Sequence, residues 1–162
     1  ACSLLWAGLA HCAEPQSAEL TLDVRDGKGS KPMIVVWLED SRGNLVQTLQ
    51  VCSQAKKYYS ELSAWWRAFR RKQPRETVDA VVGATVRWGA NRTIQVPMRI
   101  GEGSLVDGSF AIRIESAKEE GQHYSDFRIP IPKDFKSGTF EHPGYVARAT
   151  LKVPEAATTE QK

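Results

Sequence analysis

The chain has 162 residues, 41% of them apolar and 25% charged, so it is long enough for one ordinary hydrophobic core and too short for a multi-domain machine. These proportions are those of average soluble globular chains and exclude collagenous, coiled-coil, disordered and multi-span membrane architectures. Cys2, Cys12 and Cys52 form no C-x2-C pair, which excludes structural zinc, and a net charge of +3 permits an anionic partner without requiring one.

Residues 1–10 form an uncharged apolar run that is too short to span a bilayer as a helix and reads as the h-region of an export signal. Gly8 and Ala10 suit cleavage after Ala10. Leu9-Ala10-His11-Cys12 reads instead as a lipobox that would attach a lipid anchor at Cys12. Residues 1–13 are therefore expected to be a partial export segment, which places the mature chain in the periplasm with no membrane span of its own. If processing removes Cys2 and Cys12, Cys52 is left as an unpaired thiol, expected to be buried and inert.

From Glu19 the apolar period is two, with Leu20, Leu22 and Val24 on one face and Thr21, Asp23 and Arg25 on the other. Similar runs follow over Met33–Asp40, Leu45–Val51, Arg92–Met98, Ser109–Ala117, His123–Ile131 and Tyr145–Val153. Ser41-Arg42-Gly43-Asn44 reads as the turn of a hairpin. Seven strands separated by turns predict an all-β fold, an antiparallel β-sandwich over residues 19–154, with a disordered tail at 155–162.

One segment breaks this period. Tyr59, Leu62, Trp66 and Phe69, joined by Tyr58 and Trp65, recur at steps of three and four and predict an amphipathic helix from Tyr58 to Arg71, inserted between the third and fourth strands and ended by Pro74. Its aromatic face, with Trp66 and Phe69 inward, is expected to lie over an open edge or end of the sandwich. Lys56, Lys57, Arg67, Arg70, Arg71, Lys72 and Arg75 stand against Glu61 alone between Lys56 and Arg75, so the basicity of the chain is local. Cations at the end of a helix are favoured by its macrodipole; the other reading is a patch for an anionic partner.

His11, His123 and His142 are far apart and show no metal-ligand spacing, and there is no G-x-S-x-G elbow, Walker loop or G-x-G-x-x-G. The chain is read as a non-enzyme, and nothing in it points to nucleic acid. The informative stretch is Thr77-Val78-Asp79-Ala80-Val81-Val82-Gly83-Ala84-Thr85, placed as a loop between the helix and the strand near Arg92. It resembles D-x-x-[ST]-G-A-[ST], the motif at which extracytoplasmic flavin transferases attach FMN to a threonine or serine hydroxyl through a phosphoester. The resemblance implies that Thr85 is the acceptor, that Asp79 anchors the peptide in the transferase, and that Gly83 and Ala84 keep the backbone slim. Trp88 would then lie against the isoalloxazine ring, with Arg70, Arg71 or Arg75 beside the phosphate. Val82 departs from the motif, as does the continuation Val86-Arg87-Trp88-Gly89. The alternative is that Gly83 turns the chain and that Trp88 is a core aromatic at the start of a strand.

A second resemblance covers Leu20 to Pro132. The order W-L-E-D-x-x-G-N-L-V-Q-T-L, aromatic helix, V-D-A-V-V-G-A-T, D-G-S-F-A-I-R-I-E-S-A-K-E-E-G looks like a family of predicted periplasmic proteins of unknown function, often encoded near flavin transferases and membrane redox proteins. The halves around Gly43 and Gly108 also look like the immunoglobulin-like domain of flagellar hook-capping proteins. Together these imply an immunoglobulin-like sandwich, with a flavin transferase and a membrane or haem redox protein as partners. Two functions follow from the resemblance: an electron-transfer module carrying covalent FMN at Thr85, or a flavin-free module that docks on an envelope or membrane redox complex through its sheet edges and basic helix.

Overall fold

The computed structural model describes residues 16–53, 55–72 and 82–155. The expected export segment at 1–13, the tail beyond 155, Asp79 and Arg75 lie outside the described residues.

Two sheets face each other. The first has the order β10 (Ser137–Glu141), β11 (Val146–Lys152), β1 (Ser17–Val24), β5 (Asn91–Pro97). The second has the order β4 (Val82–Gly83), β3 (Leu45–Cys52), β2 (Met33–Asp40), β8 (Phe110–Ala117), β9 (His123–Ile131), and β6 (Arg99–Ile100) pairs with β7 (Gly103–Ser104) as a separate short ribbon. All pairings are antiparallel except β3 with β4. The expected sandwich is therefore present, and the seven expected strands are joined among the described residues by β4, β6, β7 and β10.

Period-two patterning builds the interior. Leu20 and Leu22 on β1, Ile94 and Val96 on β5 and Ala149 and Leu151 on β11 meet Ile34, Val36 and Leu38 on β2, Ile112 and Ile114 on β8 and Ile129 and Ile131 on β9. The β2–β3 hairpin turns at Gly43, whose φ of +78° suits a residue without a side chain. Asp40 pins that turn by accepting the amides of Arg42 at 2.8 Å and Asn44 at 2.9 Å.

The helical insertion covers the outer face of the second sheet, not an open edge. It is a 310 turn over Lys56–Glu61 followed by α1 (Ser63–Lys72). Tyr59, Leu62, Trp65 and Phe69 pack on Met33, Val35, Trp37, Leu45 and Val51. Both faces of β2 are thus covered, which explains why M-I-V-V-W-L reads as a continuous apolar run. The inward tryptophan is Trp65, fully buried, and not Trp66, which is half-buried. The physical reason is that the 310 turn ends at Glu61 and α1 begins afresh at Ser63, so the 3.6-residue phase does not run through from Tyr59. Trp65 also donates its indole N–H to Thr48 Oγ1 at 2.9 Å.

Charged groups complete the outer face. Glu115, fully buried on β8, accepts the backbone N–H of Ala64 at 2.9 Å and of Trp65 at 2.7 Å, and contacts His123 Nε2. Glu39, buried at the end of β2, lies between Arg113 at 3.4 Å and Arg128 at 3.3 Å. At the other end of α1, Lys72 Nζ donates to the carbonyls of Leu45 and Val46, while Arg67, Arg70 and Arg71 are exposed. No helix among the described residues is long and apolar enough to cross a membrane.

Candidate functional site

The described part of the motif, residues 82–85, lies at the edge of the second sheet, ahead of the strand β5 of the first. Val82 and Gly83 pair in parallel with Val51 and Cys52, so within the described part of the expected loop these two residues form an edge strand. Val82 is 39% exposed, Ala84 exposed and Thr85 half-buried, and Val86 then plugs into the main core. The ribbon is anchored at both ends, by the β3 pairing and by Val86, with the small residues between them at the surface.

Gly83 does not reverse the chain. Its φ is not positive, unlike those of Gly29, Gly43, Gly89, Gly101 and Gly108. What it provides is close approach: a Cβ at this position would stand 2.7 Å from Arg92 Nη2 and 2.7 Å from Gln50 Nε2. The guanidinium of Arg92 therefore lies directly against the G-A-T backbone.

Arg92 is placed there by strand register. It pairs with Leu22 across β5 and β1, two positions from Ile94 and four from Val96, so it occupies the inward-facing row of β5. As β5 is the edge of its sheet, this inward residue sits at the lateral opening of the sandwich, facing the edge made by β3 and β4. Its Nε is buried and has no hydrogen-bond partner, and it takes no part in the ion pairs found among the described residues. The nearby Cys52 thiol is buried and free; burial pushes its pKa up, and the Arg92 charge opposes that rise. At neutral pH Cys52 is thus a neutral neighbour and supplies no counter-charge.

Trp88, three residues beyond Thr85, is half-buried and packs against the main core. Its ring lies over Gly27, where a Cβ would come within 2.5 Å, and meets Tyr145 edge-on at 5.6 Å. Its indole N–H donates to Gly29 O at 3.3 Å, and Lys118 Nζ stands 5.7 Å from the ring centre. The structure thus brings together Gly83, Arg92, Gln50 and Cys52, while Trp88 has its own set of neighbours. Arg70 and Arg71 are exposed at the end of α1. Arg92 was not anticipated from the sequence. The available signal was an arginine in phase with Ile94 and Val96 on the apolar side of a strand.

Among the described residues no group of three or more histidine, cysteine, aspartate or glutamate side chains could hold a metal ion. Away from this ribbon the surface also carries open hollows. One is lined by Asp23, Arg25, His142 and Arg148, where His142 is fixed by Asp126 at 3.1 Å and by the amide of Gly144 at 3.0 Å.

Residues 16–147 match the sequence model of a family described as "Predicted periplasmic protein (DUF2271)". No curated protein and no solved structure matches the chain.

Proposed function

We propose, for a chain that belongs to the DUF2271 family of predicted periplasmic proteins, that it is an electron-transfer module carrying FMN in phosphoester linkage at Thr85. The observation that carries this reading is the arrangement of the ribbon. Its acceptor hydroxyl follows a glycine and an exposed alanine on a surface segment held at both ends, so another enzyme's cleft can close on it without unfolding the sandwich.

The residues present fit the group. A flavin mononucleotide ester brings one phosphodiester charge, and the buried Nε of Arg92 is a donor without a partner beside this backbone. In the attachment step the Thr85 oxygen bonds to the flavin-side phosphorus of a flavin dinucleotide, the phosphoanhydride bond breaks, a nucleoside monophosphate leaves, and the hydroxyl proton passes to a base of the transferase. Bound FMN supplies one- or two-electron redox chemistry, and the sandwich presents it. The chain's own contribution is to hold the ribbon rigid between β3 and Val86 and to keep a cation beside it. A flavin transferase is then one partner and a membrane or haem redox protein the other.

Co-expression with a flavin transferase tests this. The purified protein is expected to be yellow and heavier by one FMN, with the added mass lost in Thr85→Val and kept in Thr85→Ser. Because Val82 stands where the motif has a hydroxyl residue, Val82→Thr is the second arm. A colourless wild type together with a colourless Val82→Thr overturns the reading and leaves a flavin-free docking module.

A further inference from the structure

We infer that Arg92 is the residue that holds the phosphodiester at Thr85, an inference that rests on the flavin reading of that threonine. Of the two terminal nitrogens of a guanidinium, Nη2 lies on the same side as the Nε–H, and the two together form the edge that grips a pair of phosphate oxygens. In Arg92 this edge is the one turned to the ribbon: Nε is the buried donor without a partner, and Nη2 is the atom against Gly83. Thr85 lies two residues further along the ribbon, at most about 7 Å of extended chain.

A buried donor left unsatisfied is costly, and Arg92 enters none of the ion pairs found among the described residues. Two side chains near it are the amide of Gln50, against the same Gly83, and the buried thiol of Cys52, both neutral. An inward charge on an edge strand also discourages pairing with another chain, but that role is served by any cation and leaves Nε equally unsatisfied. A single negative charge arriving beside Gly83 would satisfy both nitrogens of the edge and match the guanidinium charge one for one. It would also fix the ester end of the flavin, so that the ring swings from a held phosphate and not from a free threonine side chain.

The test uses the full chain co-expressed with a flavin transferase, as wild type, Arg92→Gln and Arg92→Lys. Mass spectrometry reports loading, circular dichroism the fold, and 31P resonance and flavin fluorescence anisotropy the state of the phosphodiester. In a folded, loaded Arg92→Gln the phosphorus resonance is expected to shift and the anisotropy to fall towards that of a freely rotating side chain, with Arg92→Lys in between. A loaded Arg92→Gln with wild-type resonance and anisotropy overturns the assignment while leaving the flavin reading intact. A folded Arg92→Gln that takes up no FMN when the wild type does also overturns it, since the arginine then serves recognition by the transferase. If Arg92→Gln does not fold, Arg92→Lys decides by the same two readouts, because it keeps the charge and loses the paired edge. A wild type and a Val82→Thr that gain no mass overturn the flavin reading itself, and this inference with it.

Discussion

Glu115 accepts the backbone N–H of Trp65 at 2.7 Å, so the first turn of α1 is capped by a carboxylate from β8 and not by a residue of its own chain segment. The first turn of α1 contains no acidic side chain. The buried carboxylate faces the positive end of the helix and takes a second amide, that of Ala64. Glu115→Ala leaves the buried amide of Trp65 and the part-buried amide of Ala64 without this acceptor and is expected to cost about 2 to 4 kcal/mol in chemical denaturation. Glu115→Gln keeps one acceptor oxygen and is expected to cost less. Equal stabilities for wild type and Glu115→Ala would mean that the cap contributes nothing.

The two neighbouring tryptophans are expected to separate in the same assay. Trp65→Ala removes a fully buried ring that stacks on Phe69 at 5.2 Å and bonds Thr48, and should cost about 3 to 5 kcal/mol. Trp66 is half-buried, and Trp66→Ala should cost clearly less. A larger loss at Trp66 than at Trp65 would contradict the helix phase described here.

Alanine scanning of glycines gives a further contrast. At Gly27 the new Cβ meets the ring of Trp88 at 2.5 to 2.8 Å, a rigid body held by Tyr145, so Gly27→Ala should destabilise by about 1 to 3 kcal/mol. At Gly83 the Cβ meets only the far ends of Arg92 and Gln50, which can swing away. Gly83→Ala is therefore expected to stay within about 1 kcal/mol of wild type while displacing the guanidinium from the ribbon. Thermal denaturation of the two variants side by side checks this, and a Gly83→Ala as damaging as Gly27→Ala would show that Arg92 cannot move.

Cys52 gives a pH dependence with a definite sign. Burial raises its pKa above the ordinary value of 9.0, so the folded chain keeps the thiol proton where the unfolded chain has lost it. Its contribution is fully present below pH 9 and is lost as the pH rises from there through the raised folded-state value. Cys52→Ala should remove this alkaline part of the stability profile, measured by denaturant titration between neutral and alkaline pH. At neutral pH the thiol should react with maleimide only on unfolding; rapid labelling of the folded protein would contradict its burial.

Much of the sandwich was legible because alternation marks strands that are covered on one face and wet on the other, as in Leu20, Leu22 and Val24. The missed strands lack that signal. Val82–Gly83, Arg99–Ile100 and Gly103–Ser104 are two residues long, and Ser137–Glu141 is an edge strand whose residues are all at least partly exposed. The helix was found but its phase was not, because a 310 turn has three residues per turn and shifts the aromatic positions that follow. Glu115 alternates with the inward Ile112 and Ile114 of β8, and nothing local tells that a helix end will be laid over it. In the candidate site the G-A-T segment was visible as a motif, whereas Arg92 belongs to it through the packing of two sheets, which spacing within one segment cannot express.

Sheet composition also orders the steps by which the chain assembles. Strands β2 with β3 and β8 with β9 are neighbours in sequence and can pair as soon as each hairpin is made. In the other sheet β1 is central, with Glu19 opposite Lys152 on one side and Gln95 on the other, so its pairing with β11 must wait for a segment synthesised at the opposite end of the domain. Until then β1 has only β5 beside it, and the first sheet lacks β10 and β11. Because β11, among the described strands the last in sequence, completes the first sheet beside β1, the sandwich reaches its full set of pairings only after that strand has been made.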